Sequence, residues 1–176
     1  MRNATELMVQ YAAYHRDQRN ITTHYVGIPL IVFAVGVLLA RPGFEVNHLA
    51  LTPAWVVWAA SSLWYVTRGN FVLGIAVSAL NGALIFLAQW FAGGSIAGWL
   101  AWGISTFLFG WLLQFLGHYY EGRKPAFVDD LVGLLVGPMF ITAEWLFSLG
   151  LCKSLAAEIE SRVGPTRLRD LTQPVS

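Results

Sequence analysis

Long apolar runs separated by brief charged punctuation organise the chain. Asn20 to Ala40 contains no Asp, Glu, Lys or Arg, and its length suits one tilted crossing of a hydrocarbon core about 30 Å thick. Pro29 is expected near the first turn of that helix. Arg41, Pro42 and Gly43 then break it. GFEVNHLALTP reads as a loop leading to a second uncharged run, Val46 to Thr67, with its helical core at Pro53 to Tyr65. The 52 residues from Gly69 to Tyr120 again lack all four charged residue types. One helix of that length would reach about 78 Å, so the run must fold back. Gly93, Gly94 and Ser95 supply the turn, giving spans near 71–92 and 96–117. The last apolar segment, Leu131 to Leu151, is interrupted by Gly137 and Pro138 and holds Glu144. A carboxylate at the bilayer midplane costs roughly 2.5 to 3.5 kcal/mol on insertion scales. Glu144 therefore faces a polar cavity, or its segment does not cross.

The N-terminal stretch MRNATELMVQYAAYHRDQRN lacks the uninterrupted apolar core of a secretory signal. Thr5 can cap a short helix in which Leu7, Met8, Tyr11 and Tyr14 recur at roughly helical spacing. The pattern predicts an amphipathic helix on the membrane surface, ending at Asp17 to Asn20, where short polar side chains compete for backbone hydrogen bonds.

Composition strengthens this picture. The chain is 56% hydrophobic and 12% charged, against about 25% charged for soluble domains, and its mean hydropathy is +0.57. The expected fold is all-α, a polytopic membrane bundle forming one domain. It has a surface helix over 1–20, a bundle over 21–151 and a polar tail over 152–176. The bundle comprises four transmembrane helices and a broken fifth element, re-entrant or crossing. A net charge of +1 without a basic run excludes nucleic acid as a partner. Cys152 is the single cysteine, which excludes an intrachain disulfide and a cysteine zinc cluster. Neither G-x-G-x-x-G after a strand nor a P-loop is present, so no nucleotide cofactor is indicated. Glycines at 74, 82, 103 and 110 would allow close helix packing, and a homo-oligomer is compatible with them.

Cytoplasmic flanks of transmembrane helices collect Lys and Arg. With the N-terminus cytoplasmic and four crossings, Arg2, Arg16, Arg19, Arg68, Arg123 and Lys124 lie inside and Arg41 outside. A re-entrant hairpin bent at Gly137 and Pro138 would add Lys153, Arg162, Arg167 and Arg169, placing ten of the eleven basic residues inside. His15, His24 and His118 then converge on the cytoplasmic face, while His48 falls in the opposite loop. Minimal loops and the lack of a C-terminal retention signal favour a bacterial inner membrane. In a eukaryote the endoplasmic reticulum membrane would take its place.

The densest chemistry lies in GWLLQFLGHYYEGRKPAFVDDL, Gly110 to Leu131. On a helix, Trp111, Gln114, His118 and Glu121 fall within an arc of about 80 degrees. Three neutral imidazoles suit zinc, iron, copper or nickel. Other readings of the polar residues stay open. Gln114 could be an interhelical hydrogen bond, Glu144 a partner for a tail arginine, and Arg123 with Lys124 a topology signal alone. Asp129 and Asp130 could cap a helix.

These segments resemble a known family. YAAYHRDQRNITTHYVGIPLIVF, the GWLLQFLGHYYEGRKPAFVDDL stretch and GPMFITAEWLF are similar to the 2-hydroxy fatty acid dioxygenases, whose fungal members serve alpha-oxidation in phytosphingosine breakdown. The likeness covers roughly Tyr11 to Gly150, and between Ala40 and Ala101 it rests on hydrophobicity alone. It implies a membrane-bound Fe(II) enzyme that uses O2 to shorten a 2-hydroxy fatty acid by one carbon. His15, His24 and His118 would hold the metal. Glu121, Asp129 or Glu144 would add a fourth ligand or orient an imidazole, and Arg123 with Lys124 would clamp the substrate carboxylate. Glu121 stands one residue earlier than its counterpart in the fungal pattern, which weighs against direct ligation. Two rivals come from other classes: a transporter with a midplane site at Glu144, and a metal-free membrane scaffold.

Overall fold

The computed structural model describes residues 2–41, 43–46 and 49–172. The fold is helical. Helices α1 (Ala4–Ala12) and α2 (Gln18–Leu39) precede a short antiparallel hairpin, β1 (Phe44–Val46) with β2 (Leu49–Leu51). Then come α3 (Pro53–Val66), α4 (Phe71–Ala92) and α5 (Ile96–Glu121), a 3-10 turn at Ala126–Val128, α6 (Gly133–Ser148) and α7 (Lys153–Val163). The hairpin, paired Phe44 to Leu51, replaces the loop expected there. His48 and Pro42 lie outside the described residues.

Among the described residues three helices, α2, α4 and α5, are long and apolar enough to cross a membrane, and the bent pair α6–α7 could count as a fourth. Helix α3 is apolar but only 14 residues, about 21 Å, and falls short of a hydrocarbon core by itself. The chain nevertheless runs four times between the two ends of the bundle. Trp58 of α3 donates to the Ser78 carbonyl of α4, and the end of α3 returns to the N-terminus, where the Arg68 carbonyl accepts from the Ala4 N–H. At the far end Arg41 donates to the carbonyl of Gly94, in the turn that the sequence places between α4 and α5.

Helices α2 and α5 form the closest antiparallel pair. Gly110 allows it, because a Cβ there would sit 2.7 Å from Ile31 and 2.9 Å from the Gly27 carbonyl oxygen. A Cβ at Gly117 would press on Thr23, Asn20 and His24. The other glycines read as oligomer faces are also spent inside the chain, Gly74 on Val66, Gly82 on Trp58 and Gly103 on Leu38. Most of what remains outward on α5 is apolar, including Leu108, Leu112 and Phe115.

Several local expectations need correction. Asn3, not Thr5, caps α1 by accepting from the Glu6 N–H. Helix α1 is not a surface strip: Leu7, Met8, Tyr11 and Ala12 are buried in the main core with Ile141 of α6 and Leu155 of α7. Asp17 to Asn20 do not end a helix. Asp17 caps α2 through the Arg19 N–H, so α2 begins at Gln18 and Pro29 lies well inside it. Helix α6 runs unbroken through Gly137 and Pro138, whose carbonyl accepts from the Thr142 hydroxyl. The bend, 114°, comes at the junction with α7, where Gly150 and Cys152 both take positive φ.

Candidate metal centre

The elbow between α1 and α2 carries His15, α2 carries His24 nearly two turns inside its start, and α5 carries His118 one turn before its end. A single carboxylate locks the elbow in place. Glu121 accepts from the Arg16 N–H at 3.0 Å, the Asp17 N–H at 2.8 Å and the Asn20 side-chain amide at 2.9 Å. Asn20 also donates to the Tyr14 carbonyl at 3.1 Å. Glu121 thus ties the end of α5 to both sides of His15, and its oxygens are engaged by these donors. The tail adds a second lock. The Arg169 N–H donates to Asp17, whose side chain also takes the Arg19 guanidinium, and Arg167 pairs with the elbow backbone in a parallel bridge. Burial works against the Asp17 charge, but these donors prevail and hold its pKa down at about 2.

Within this frame three imidazoles meet. One ring nitrogen of each lies within 4.8 Å of the others, and the rings are 0%, 0% and 6% exposed for His15, His24 and His118. Tyr11 stacks on His15 at 4.0 Å with ring planes 6° apart, and Phe140 of α6 packs tilted against the same imidazole at 5.4 Å. Burial, reinforced by the neighbouring imidazoles, pushes the His15 pKa well below its ordinary value. The ring stays neutral and keeps a lone pair for coordination.

The tautomers test whether this cluster suits a cation. His15 Nδ1 lies 2.7 Å from the Tyr11 carbonyl oxygen and His24 Nδ1 lies 2.9 Å from that of Asn20. A carbonyl only accepts, so both Nδ1 atoms carry the proton and both Nε2 atoms are bare. Those two Nε2 atoms face each other at 3.1 Å. Two lone pairs at that separation repel unless they share a cation. Two nitrogen ligands of one transition metal, each about 2.1 Å from it, lie about that far apart. The backbone carbonyls behind them act as the orienting partners that metal-bound histidines ordinarily have. His118 adds a third ring whose Nδ1 is buried without a hydrogen-bond partner. The donor set fits a metal.

The remaining candidate residues lie outside the cluster. Arg123 is exposed and donates to the Ala13 carbonyl at 2.7 Å, on the elbow itself. It borders an open cavity that also reaches His118 and Arg169. Lys124 pairs with Asp129 at 2.6 Å, and Tyr14 donates to the same carboxylate at 2.8 Å, beside a different cavity facing Arg2 and Gln10. Asp130 accepts from the Val132 N–H and pairs with Arg2. Glu144 is half-buried in α6 and joins no metal-holding group among the described residues. Sequence reasoning missed Tyr11 and Phe140 as walls and the tail as a lock. Only the one-turn spacing from Tyr11 to His15 and from Asn20 to His24 pointed to the carbonyls that orient the imidazoles.

Comparison with known proteins bears on this geometry. The sequence pattern described as "2-hydroxy-palmitic acid dioxygenase Mpo1-like" matches residues 1–149. The chain is 31% identical over 161 residues to "2-hydroxy-palmitic acid dioxygenase MPO1" of Saccharomyces cerevisiae, covering 85% of this chain and 83% of that protein. No solved structure matches. With most of its length matched, the chain belongs to the Mpo1-like 2-hydroxy-palmitic acid dioxygenase family.

Proposed function

We infer that the protein is an iron-dependent dioxygenase that shortens 2-hydroxy fatty acids by one carbon. The observation that carries this reading is the pair of bare Nε2 atoms of His15 and His24, 3.1 Å apart beside His118, in a chain of this family. His15, His24 and His118 would hold the ion. Bound ferrous iron would supply the O2 chemistry and leave positions open to an alpha-hydroxy carboxylate. In the overall balance the C1–C2 bond breaks, C2 becomes the new carboxyl and C1 leaves as carbon dioxide. One O2 is consumed, one water is formed, and no external reductant is needed.

The protein's own residues do the rest. The Tyr11 and Asn20 carbonyls fix the two tautomers, Glu121 fixes the elbow, and Tyr11 with Phe140 keeps water from His15. Arg123 stands on the rim of the cavity that touches His118, where its planar fork can take a carboxylate once it leaves the Ala13 carbonyl. Glu144 and the Lys124–Asp129 pair shape the surroundings at a distance from the imidazoles. In this reading the chain is a single membrane-embedded domain with the site at its basic end, and the positive-inside rule supports a cytoplasmic orientation for that end. An acyl chain can remain in hydrocarbon while its head reaches the histidines.

The test is anaerobic reconstitution with Fe(II), then incubation with 2-hydroxypalmitate and oxygen and mass spectrometry of the acids formed. The fifteen-carbon acid is expected from wild type and not from His118→Ala. Absence of a shortened acid across several chain lengths, with iron bound, would overturn the reading.

A further inference from the structure

His118 borders two cavities. The first is the open, basic one with Arg123 and Arg169. The second, of about 70 Å³, runs from His118 into the bundle between Ile28 and Ile31 of α2, Gln114 of α5 and Gly137 of α6. It is apolar except at specific points. Gln114, Trp111 and Tyr11 are among its lining residues; the Gln114 amide nitrogen and the Trp111 indole nitrogen are buried and have no hydrogen-bond partner, and the Tyr11 hydroxyl stands beside Gly137. Gln114 is only 6% exposed, so bulk solvent does not reach its donor. Leaving such a donor unpaired is destabilising, and native proteins retain one chiefly where function supplies the acceptor. A glutamine that merely joined α2 to α5 would donate across the pair. Here the amide lies against Gly27 of α2 and donates to nothing.

We propose that Gln114 is the specificity residue that reads the substrate's 2-hydroxyl, donating to it from inside the apolar cavity one helical turn from His118. The proposal rests on the dioxygenase reading. In a 2-hydroxy acid the carboxylate on C1 and the hydroxyl on C2 diverge. With the carboxylate on the basic side of His118, the hydroxyl and the chain point to the Gln114 side. The cavity is too small for more than the first few carbons. The rest of the chain leaves past Ile31 and Leu134, and Leu134 is 49% exposed on the apolar surface. A site built to hydrogen-bond a hydroxyl discriminates strongly against the analogue lacking it, because its own donor is then left unpaired.

The experiment is equilibrium dialysis of 2-hydroxyhexadecanoate and hexadecanoate against the full chain in detergent micelles. Zinc occupies the histidines so that no turnover occurs. Wild type should prefer the hydroxy acid. In Gln114→Leu the affinity for 2-hydroxyhexadecanoate should fall about tenfold, the effect of one hydrogen bond, while hexadecanoate binding and zinc stoichiometry stay unchanged. No preference in wild type, a preference retained in Gln114→Leu, or an equal loss for both ligands would overturn the proposal. If Gln114→Leu loses zinc, Gln114→Asn decides: its amide is withdrawn by one methylene, and the preference should shrink with zinc retained. A preference that depends on Gln114, in a protein whose iron form shortens no acid, would sink the dioxygenase reading and leave the hydroxyl reader standing.

Discussion

At the scale of the residue, Glu121 shows how far a side chain's role depends on what folds against it. Its spacing from His118 puts it on the polar stripe of α5, which made it a candidate ligand. The direction of its carboxylate is set by an elbow more than one hundred residues earlier, whose two N–H groups it accepts, and no periodicity reports that. Glu121→Ala should therefore act first on stability, by about 3 kcal/mol, because it strands two backbone donors and one of the two Asn20 amide N–H bonds. Glu121→Gln should cost less. Thermal unfolding in detergent measures both, and an unchanged melting temperature with activity lost would move Glu121 to the metal or the substrate instead. The facing Nε2 atoms of His15 and His24 give a prediction whose sign depends on metal. His24→Leu should lower the melting temperature of the metal-loaded protein, which forfeits linkage stabilisation of about 2.7 kcal/mol at a hundredfold excess over the dissociation constant. In metal-free protein the same substitution removes a lone-pair repulsion, so its melting temperature should not fall below that of metal-free wild type.

At the scale of the element, hydropathy made α2, α4 and α5 legible, because a lipid-facing helix writes its length directly into an uncharged run. The turn at Gly93 to Ser95 was legible for the same reason. Breaks inside apolar segments were not. Pro138 and Pro29 each remove one backbone donor, yet packing keeps their helices continuous, and the real bend falls where Gly150 and Cys152 adopt positive φ. The site was legible as residue types and only partly as geometry. The three histidines could be brought to one face by counting crossings, whereas their orienting carbonyls and the cavity at Gln114 come from how closely α2 and α5 approach. That approach depends on Gly117. Gly117→Ala should push α5 away from Thr23, Asn20 and His24 and weaken metal binding at least tenfold. Gly98→Ala, at the far end of α5 beside Ser95, should leave it intact. Competition with a chromophoric chelator reads the difference, and equal metal affinity in the two variants would show that the pair tolerates separation without loss of the site.

At the scale of the whole molecule, the ends of the chain meet. Arg162 pairs with Glu6, and Ser154 and Glu158 share a surface cavity with Asn3 and Arg68. Arg16, Arg19, Arg123, Arg167 and Arg169 gather on the same end around the elbow, while Arg41 stands apart beside Gly94 and Trp99. The contacts of α6 also belong to that end: Tyr65 near the close of α3, Tyr11 of α1, and Tyr25 near the start of α2. We expect α6 to cover the histidine end from within rather than to carry the chain to the other side. This makes orientation testable with single cysteines introduced into a Cys152→Ser background and labelled by a membrane-impermeant maleimide in sealed vesicles. Ser154→Cys and Ser161→Cys should react from the side that labels Asn3→Cys, and Gly94→Cys from the opposite side. Reaction of Ser161→Cys from the Gly94 side would mean that the α6–α7 segment crosses. That outcome would separate α7 from α1, break the Arg162–Glu6 pair and pull the tail from Asp17, so it would overturn the arrangement that holds the histidine elbow shut.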